Sequence, residues 1–291
     1  VGLMALLLLT VAGGPSAAGN SPPSQDVVES SGLSASSEVQ ALLADVPHLI
    51  EIGRLKEASA KSDEAVELAL QTNDRAGVAL AQRSRAGVMQ RLKRNDEALA
   101  SWRGATSIWQ ELGDGPRQVE GLASTGVLLL AQNAESAEGR ELIDRALALA
   151  KEEEADDPFA TAQALHDAGE TAMASKHRDS ALRLLSTAIA ILERHPPASV
   201  ALAESLIRLG WTKVGRDLDP AAARVELDRA LEIARRVAPG RAIEAECLAW
   251  KGALELRLQD FTSAVDLFQQ ALEIYDRVDP VGFETSTVLL W

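Results

Sequence analysis

The sequence predicts an all-α fold, a right-handed superhelical solenoid of stacked antiparallel helix pairs, and three observations carry that expectation. A short pattern, an alanine followed by residues that make an apolar stripe, occurs six times: Ala65-Val66-Glu67-Leu68, Ala105-Thr106-Ser107-Ile108, Ala146-Leu147-Ala148-Leu149, Ala188-Ile189-Ala190-Ile191, Ala230-Leu231-Glu232-Ile233 and Ala271-Leu272-Glu273-Ile274. The alanines are 40, 41, 42, 42 and 41 residues apart, a fixed period of the length that a stacked helix pair needs. No stretch alternates apolar and polar residues between hairpin turns, so strands are not expected.

Each unit reads helix A, turn, helix B, breaker. In unit one Val46 marks helix A, and Ala58, Ser62 and Ala65 mark helix B. Unit two has Gly87 in helix A, the polar pair Asn95-Asp96 as a turn, then Ala98, Trp102 and Ala105, with Pro116 as the breaker. Unit three repeats this as Gly126, Gly139, Ile143, Ala146 and Pro158, and unit four as Gly169, Ala181, Leu185, Ala188 and Pro196-Pro197. Unit five gives Gly210, Ala223, Leu227, Ala230 and Pro239-Gly240; unit six gives Gly252, the turn Gln259-Asp260, Ala264, Phe268, Ala271 and Pro280. The two small residues of helix B are seven apart, two turns on one face, and let a neighbouring helix come close. The large residue midway fills the groove so created. A glycine inside helix A costs roughly 1 kcal/mol against alanine, and tight packing is the expected reason for it. Proline cannot continue a helix interior and glycine readily takes the left-handed cap, so the breakers are stop signals.

The ends are of a different kind. Residues 1–18 carry an apolar run, Leu3 to Val11, and then small residues such as Ser16 and Ala18. The run is too short to span a bilayer and fits a secretory signal, although the first basic residue is Arg54. Export to a periplasmic or extracellular space is the expectation; the alternative is an apolar stub on a cytoplasmic protein. Residues 19–37, rich in serine and containing Pro22-Pro23, read as a flexible linker, with the repeats running over 38–282. Trp291 follows Trp250 by 41 residues and Leu289 follows Leu248 by 41, so 283–291 are expected to start a truncated seventh unit in a chain that continues.

Composition narrows the function. The chain has 29 basic and 43 acidic residues, a net charge of −14, which argues against nucleic acid and anionic lipid as partners of the mature chain. The charge serves solubility, or else a preference for a basic or polar peptide. Apolar residues make up 46%, enough for a continuous core, and one cysteine excludes an internal disulfide. His48, His166, His177 and His195 show no i, i+4 pair of the kind that holds a metal on a helix. Cys247, three residues before Trp250, reads as a packing residue, and the glycines follow the repeat period and form no phosphate-cradling loop. The acidic run Glu152-Glu153-Glu154 with Asp156-Asp157 reads as a solvated helix end. Neither catalysis, nor a cofactor, nor a metal is expected.

The residues resemble the tetratricopeptide repeat (TPR) family. Its leucine-glycine in helix A and its small residues seven apart in helix B are matched by Leu209-Gly210 with Ala223 and Ala230. Lys251-Gly252 with Ala264, Phe268 and Ala271 also fits, with lysine in place of leucine. The units are longer than the usual 34 residues and are similar to those of the kinesin-light-chain type and of bacterial arrays that precede CHAT domains. The resemblance implies that A helices line a concave groove, with positions six and three before the glycine, and one and four after it, facing a partner. These are Glu120, Ala123, Val127 and Leu130 in unit three and Gln163, His166, Glu170 and Met173 in unit four. Units five and six supply Glu204, Ile207, Trp211 and Val214, and Glu246, Ala249, Ala253 and Leu256. Gln163, His166, Glu170, Glu204, Trp211 and Glu246 are the candidate partner-binding residues, Trp211 being the aromatic anchor. Trp211 and some apolar positions could instead pack against the next unit. The resemblance implies a non-catalytic scaffold for a protein or extended peptide, or the recruitment arm of a CHAT-type, caspase-like peptidase with its catalytic domain beyond residue 291.

Overall fold

The computed structural model describes residues 34–196, 199–214 and 219–278. The expected signal segment 1–18, nearly all of the linker 19–37, and the start of a seventh unit at 283–291 lie outside the described residues. Within them the secondary structure is helical and no strand occurs. Unit one consists of α1 (Ser37–Leu43), α2 (Val46–Glu51) and α3 (Leu55–Gln71). Then follow the A and B helices of unit two, α4 (Arg75–Arg91) and α5 (Asn95–Leu112), and of unit three, α6 (Gly115–Gln132) and α7 (Ala137–Glu153). Unit four has α8 (Pro158–Ala174) and α9 (Arg178–Arg194), unit five α10 (Val200–Lys213) and α11 (Pro220–Val237), and unit six α12 (Ala242–Arg257) and α13 (Phe261–Val278). The chain forms two compact bodies. Of the described residues, one holds those up to Ala164 with Ser175–His177, the other Leu165–Ala174 and those from Arg178 to Val278. In each body consecutive helices pack against one another, the pattern of a stacked helical repeat.

Local chemistry sets the helix ends. Asp74, Asp114, Ser136, Ser199 and Asp219 are N-caps whose side-chain oxygens accept from the backbone N–H groups of Gly77, Arg117, Gly139, Leu202 and Ala222. Turns from helix A to helix B centre on a left-handed residue, Gly53, Lys93, Lys176 or Gln259. At Lys93 (φ 62°) the N–H groups of Lys93 and Arg94 reach back to the carbonyls of Gln90 (3.0 Å) and Met89 (2.9 Å), which satisfies the last turn of α4. The turn expected at Asn95-Asp96 therefore lies slightly earlier, and both residues belong to the first turn of α5. Gln259 does sit in the turn, and Asp260 caps α13 by accepting from the Ser263 N–H at 3.1 Å. The prolines expected as stops also serve as starts: Pro116 and Pro220 stand in the first turns of α6 and α11, and Pro158 opens α8. Pro47 divides helix A of unit one into α1 and α2, because it lacks an N–H and its ring meets the carbonyl four residues back.

The repeat register is the packing register. Ala58, Ala65, Ala98, Ala105, Ala146, Ala181, Ala188, Ala223, Ala230, Ala264 and Ala271 are buried, as are Trp102, Ile143, Leu185, Leu227 and Phe268 midway between the small residues. In four units the midway side chain lies over the glycine of its A helix: Ile143 over Gly126, Leu185 over Gly169, Leu227 over Gly210 and Phe268 over Gly252. Of these four the tightest is between α6 and α7, where a methyl group on Gly126 would stand 2.6 Å from the Gly139 carbonyl oxygen. Gly87 departs from the expectation, since a methyl group there meets nothing within 4 Å.

Candidate functional site

The expected groove positions divide by environment. In the first body Gln163 is exposed, whereas Glu120 is buried and accepts from Arg83 Nε at 2.7 and 2.9 Å through its two oxygens. Ala123, Val127 and Leu130 are core residues there, and in the second body so are Ile207, Val214 and Ala253. Each corrects the reading that this register faces outward, because both flanks of an A helix are covered by its own B helix and by the next unit. His166 and Glu246, read as exposed groove residues, are also buried, at 7% and 5% exposure. Glu170, Glu204 and Trp211 are half-buried.

In the second body five of these side chains converge with others that the register did not single out. Arg208, on α10 and buried, donates from Nε to Glu170 Oε1 on α8 at 2.7 Å and from Nη1 to Glu246 Oε1 on α12 at 3.0 Å. One guanidinium thus ties three successive A helices, and each link spans one repeat. Glu246 Oε1 also accepts from Trp250 Nε1 at 3.3 Å, while Glu246 Oε2 is buried without a hydrogen-bond partner. His166 Nδ1 shares a hydrogen bond with Ser205 Oγ at 3.0 Å, and its Nε2 lies 3.8 Å from Glu170 Oε1. Trp211 and Trp250 are tilted against each other, ring centroids 4.7 Å apart. Arg208 stands 5.7 Å from the Trp250 centroid and the exposed Arg257 5.9 Å from that of Trp211.

The electrostatics follow from three carboxylates around one guanidinium. Burial raises the Glu204 carboxyl to about 7, and Glu246, Glu170 and Asp167 add to the rise while Arg208 opposes it. Arg208 stays firmly cationic, held by Glu246 and Glu170 against the cost of its own burial. Cys247 is fully buried, and burial together with Glu246 and Glu244 pushes its thiol well above the usual range, which suits packing and not nucleophilic attack. Among the described residues no group of three or more His, Cys, Asp or Glu side chains is arranged to hold a metal ion, and no helix is long and apolar enough to cross a membrane.

Sequence reasoning missed Arg208, Ser205, Trp250 and Arg257. Arg208 and Trp250 both stand two residues before the helix-A glycine, a register that faces inward. An arginine there, flanked by Ile207 and Leu209, was the available signal, because a buried guanidinium requires carboxylates from its neighbours.

No protein-family model and no curated protein matches the sequence. Solved structures do. BtubC (BKLC) from P. vanneervenii is 20% identical, with 77% of this chain and 91% of that chain covered at a TM-score of 0.51. A putative kinesin light chain from Podosopora anserina with nearly identical TPR-like repeats is 11% identical, with 82% and 95% covered at a TM-score of 0.49. Likeness at such identity is likeness of fold, and the fold is that of a TPR-like helical repeat protein.

Proposed function

We propose that this chain is a protein–protein interaction module that binds an extended polypeptide on the face shared by its A helices, in the region of α8, α10 and α12. One observation carries the reading: a buried arginine, Arg208, spends two charge-assisted hydrogen bonds fixing Glu170 and Glu246 beside the half-buried Trp211. Packing alone does not call for such an arrangement, since apolar residues of similar volume serve a core as well or better. It preorganises a polar surface next to an aromatic ring, the combination from which binding hot spots are built. TPR-like folds typically mediate protein–protein interaction, which agrees with this role.

Selection of dodecapeptides from a phage-displayed random library tests the proposal. Peptides enriched on the chain are expected to lose at least tenfold in affinity when Trp211→Ala is combined with Glu204→Lys, with helical circular dichroism unchanged. Unaltered affinity for the double variant, or a library that yields no binder, would overturn it.

A further inference from the structure

We propose that a small cavity in the first body binds a free organic carboxylate of roughly amino-acid size, its carboxylate held by Trp109 and Arg117 and its apolar end by Ala76 and Leu80. The inference is independent of the peptide-binding reading above, since the cavity lies wholly within the first body. Its volume is about 290 Å³, at the lower edge of what small-molecule sites occupy, and its walls come from α1, α4, α5 and α6.

A buried donor is the second observation. Trp109 lines the cavity although only 1% of its surface is exposed. Its six-membered ring is turned toward α6, where a methyl group on Gly121 would stand 3.3 Å from Cζ3, and this leaves Nε1 on the opposite edge of the indole. No described residue accepts a hydrogen bond from that N–H. An indole nitrogen can only donate, and a buried one normally has a partner. The partner it lacks is an acceptor, and the cavity is the space from which one can come.

The rest of the lining chooses the acceptor. Arg117 is about half exposed; its Nη1 donates to Asp114 Oδ2 at 2.6 Å, and its other side-chain N–H groups make no hydrogen bond among the described residues. A guanidinium beside a neutral N–H donor matches a carboxylate, whose two oxygens only accept. Gln40, the polar side chain from α1, already donates from Nε2 to the Ala35 carbonyl at 2.7 Å. Ala76, buried, and Leu80, half-buried, form an apolar wall that suits a branched aliphatic body. The net charge of −14 opposes a carboxylate at long range, but at physiological salt such fields fade over about 8 Å, so the nearby guanidinium decides.

Nuclear magnetic resonance of the full chain tests the proposal, because each of its five tryptophans gives one indole N–H signal. The probe is 4-methylpentanoate, with 4-methylpentanamide as a neutral control of the same shape. A saturable shift of the Trp109 signal is expected with the acid, and at least tenfold weaker binding of the amide. Trp102, whose Nε1 is sealed from solvent and has no partner, supplies a reference signal that should stay still. Trp109→Phe and Trp102→Phe assign the two signals. Arg117→Gln, with helical circular dichroism unchanged, is expected to weaken the acid at least tenfold and to erase its advantage over the amide. Ala76→Leu, which fills the cavity, is expected to abolish the shift. An unmoved Trp109 signal, equal binding of acid and amide, or full affinity in Arg117→Gln would each overturn the site. Tighter binding of the peptide Gly-Ser-Gly-Ser-Leu than of the acid, read at the same signal, would also overturn it by assigning the cavity to chain ends.

Discussion

Arg208 is the residue whose loss the fold should feel most. Replacing it with methionine leaves Glu170 without its 2.7 Å donor and Glu246 without its 3.0 Å donor, so the expected destabilisation is about 3–5 kcal/mol, the usual penalty for breaking a buried ion pair from one side. Denaturant midpoints of Arg208→Met and Arg208→Lys check this, with lysine expected to recover part of the loss by restoring the charge. Glu204 gives the opposite sign. Its native carboxyl titrates near 7, above its ordinary 4.5, so the folded protein holds a proton that the unfolded chain gives up earlier. Stability is therefore fully retained below about pH 4.5 and falls as pH rises toward 7, by ~1–2 kcal/mol once the partial solvent access of the group is allowed for. Glu204→Gln, which copies the protonated form, should match the wild type at pH 4.5 and melt higher at pH 8. A difference that is the same at both pH values would contradict the assignment.

At the scale of elements, the glycines of the A helices separate packing from propensity. Gly126→Ala places a methyl group 2.6 Å from the Gly139 carbonyl oxygen, which belongs to backbone and cannot turn away. The α6–α7 pair must part, at an expected cost of about 1–3 kcal/mol. Gly87→Ala meets nothing within 4 Å, so it should gain up to ~1 kcal/mol from helix propensity alone. Thermal unfolding of the two variants checks the pair, and a destabilised Gly87→Ala would mean that α4 packs more closely than described. Both glycines occupy one position of the repeat and only one of them is needed for contact. Periodicity carried the helix positions, the buried small residues and the midway side chains, because each follows from a single spacing rule. It misplaced the turn at Asn95-Asp96 and left the break at Pro47 unseen, because caps and single prolines act locally and break the period.

At the scale of the molecule, the TPR-like fold could be read from the spacing of six alanines, whereas the candidate site could be read only in part. Glu170, Glu204, Trp211 and Glu246 were found by register, and Arg208, which joins two of them, was not. The register rule assigns one exposure to every equivalent position, and Arg208 puts a charge at a position, two residues before the glycine, that the rule treats as interior. A stacked repeat distributes stability over neighbouring units, so changes in α10 should reach α11 and α12 more strongly than α4 or α5. Hydrogen exchange of Arg208→Met tests this, with faster exchange expected in α10 to α12 and little change in α4 and α5.

The central claim is that the shared face of α8, α10 and α12 receives a polypeptide. The most direct measurement is amide hydrogen exchange with and without a saturating display-selected peptide. Added protection over α10 and α12, centred on Glu204 to Trp211 and Glu246 to Trp250, is the predicted result. Protection confined to the B helices α9, α11 and α13, with α10 and α12 unchanged, would contradict it.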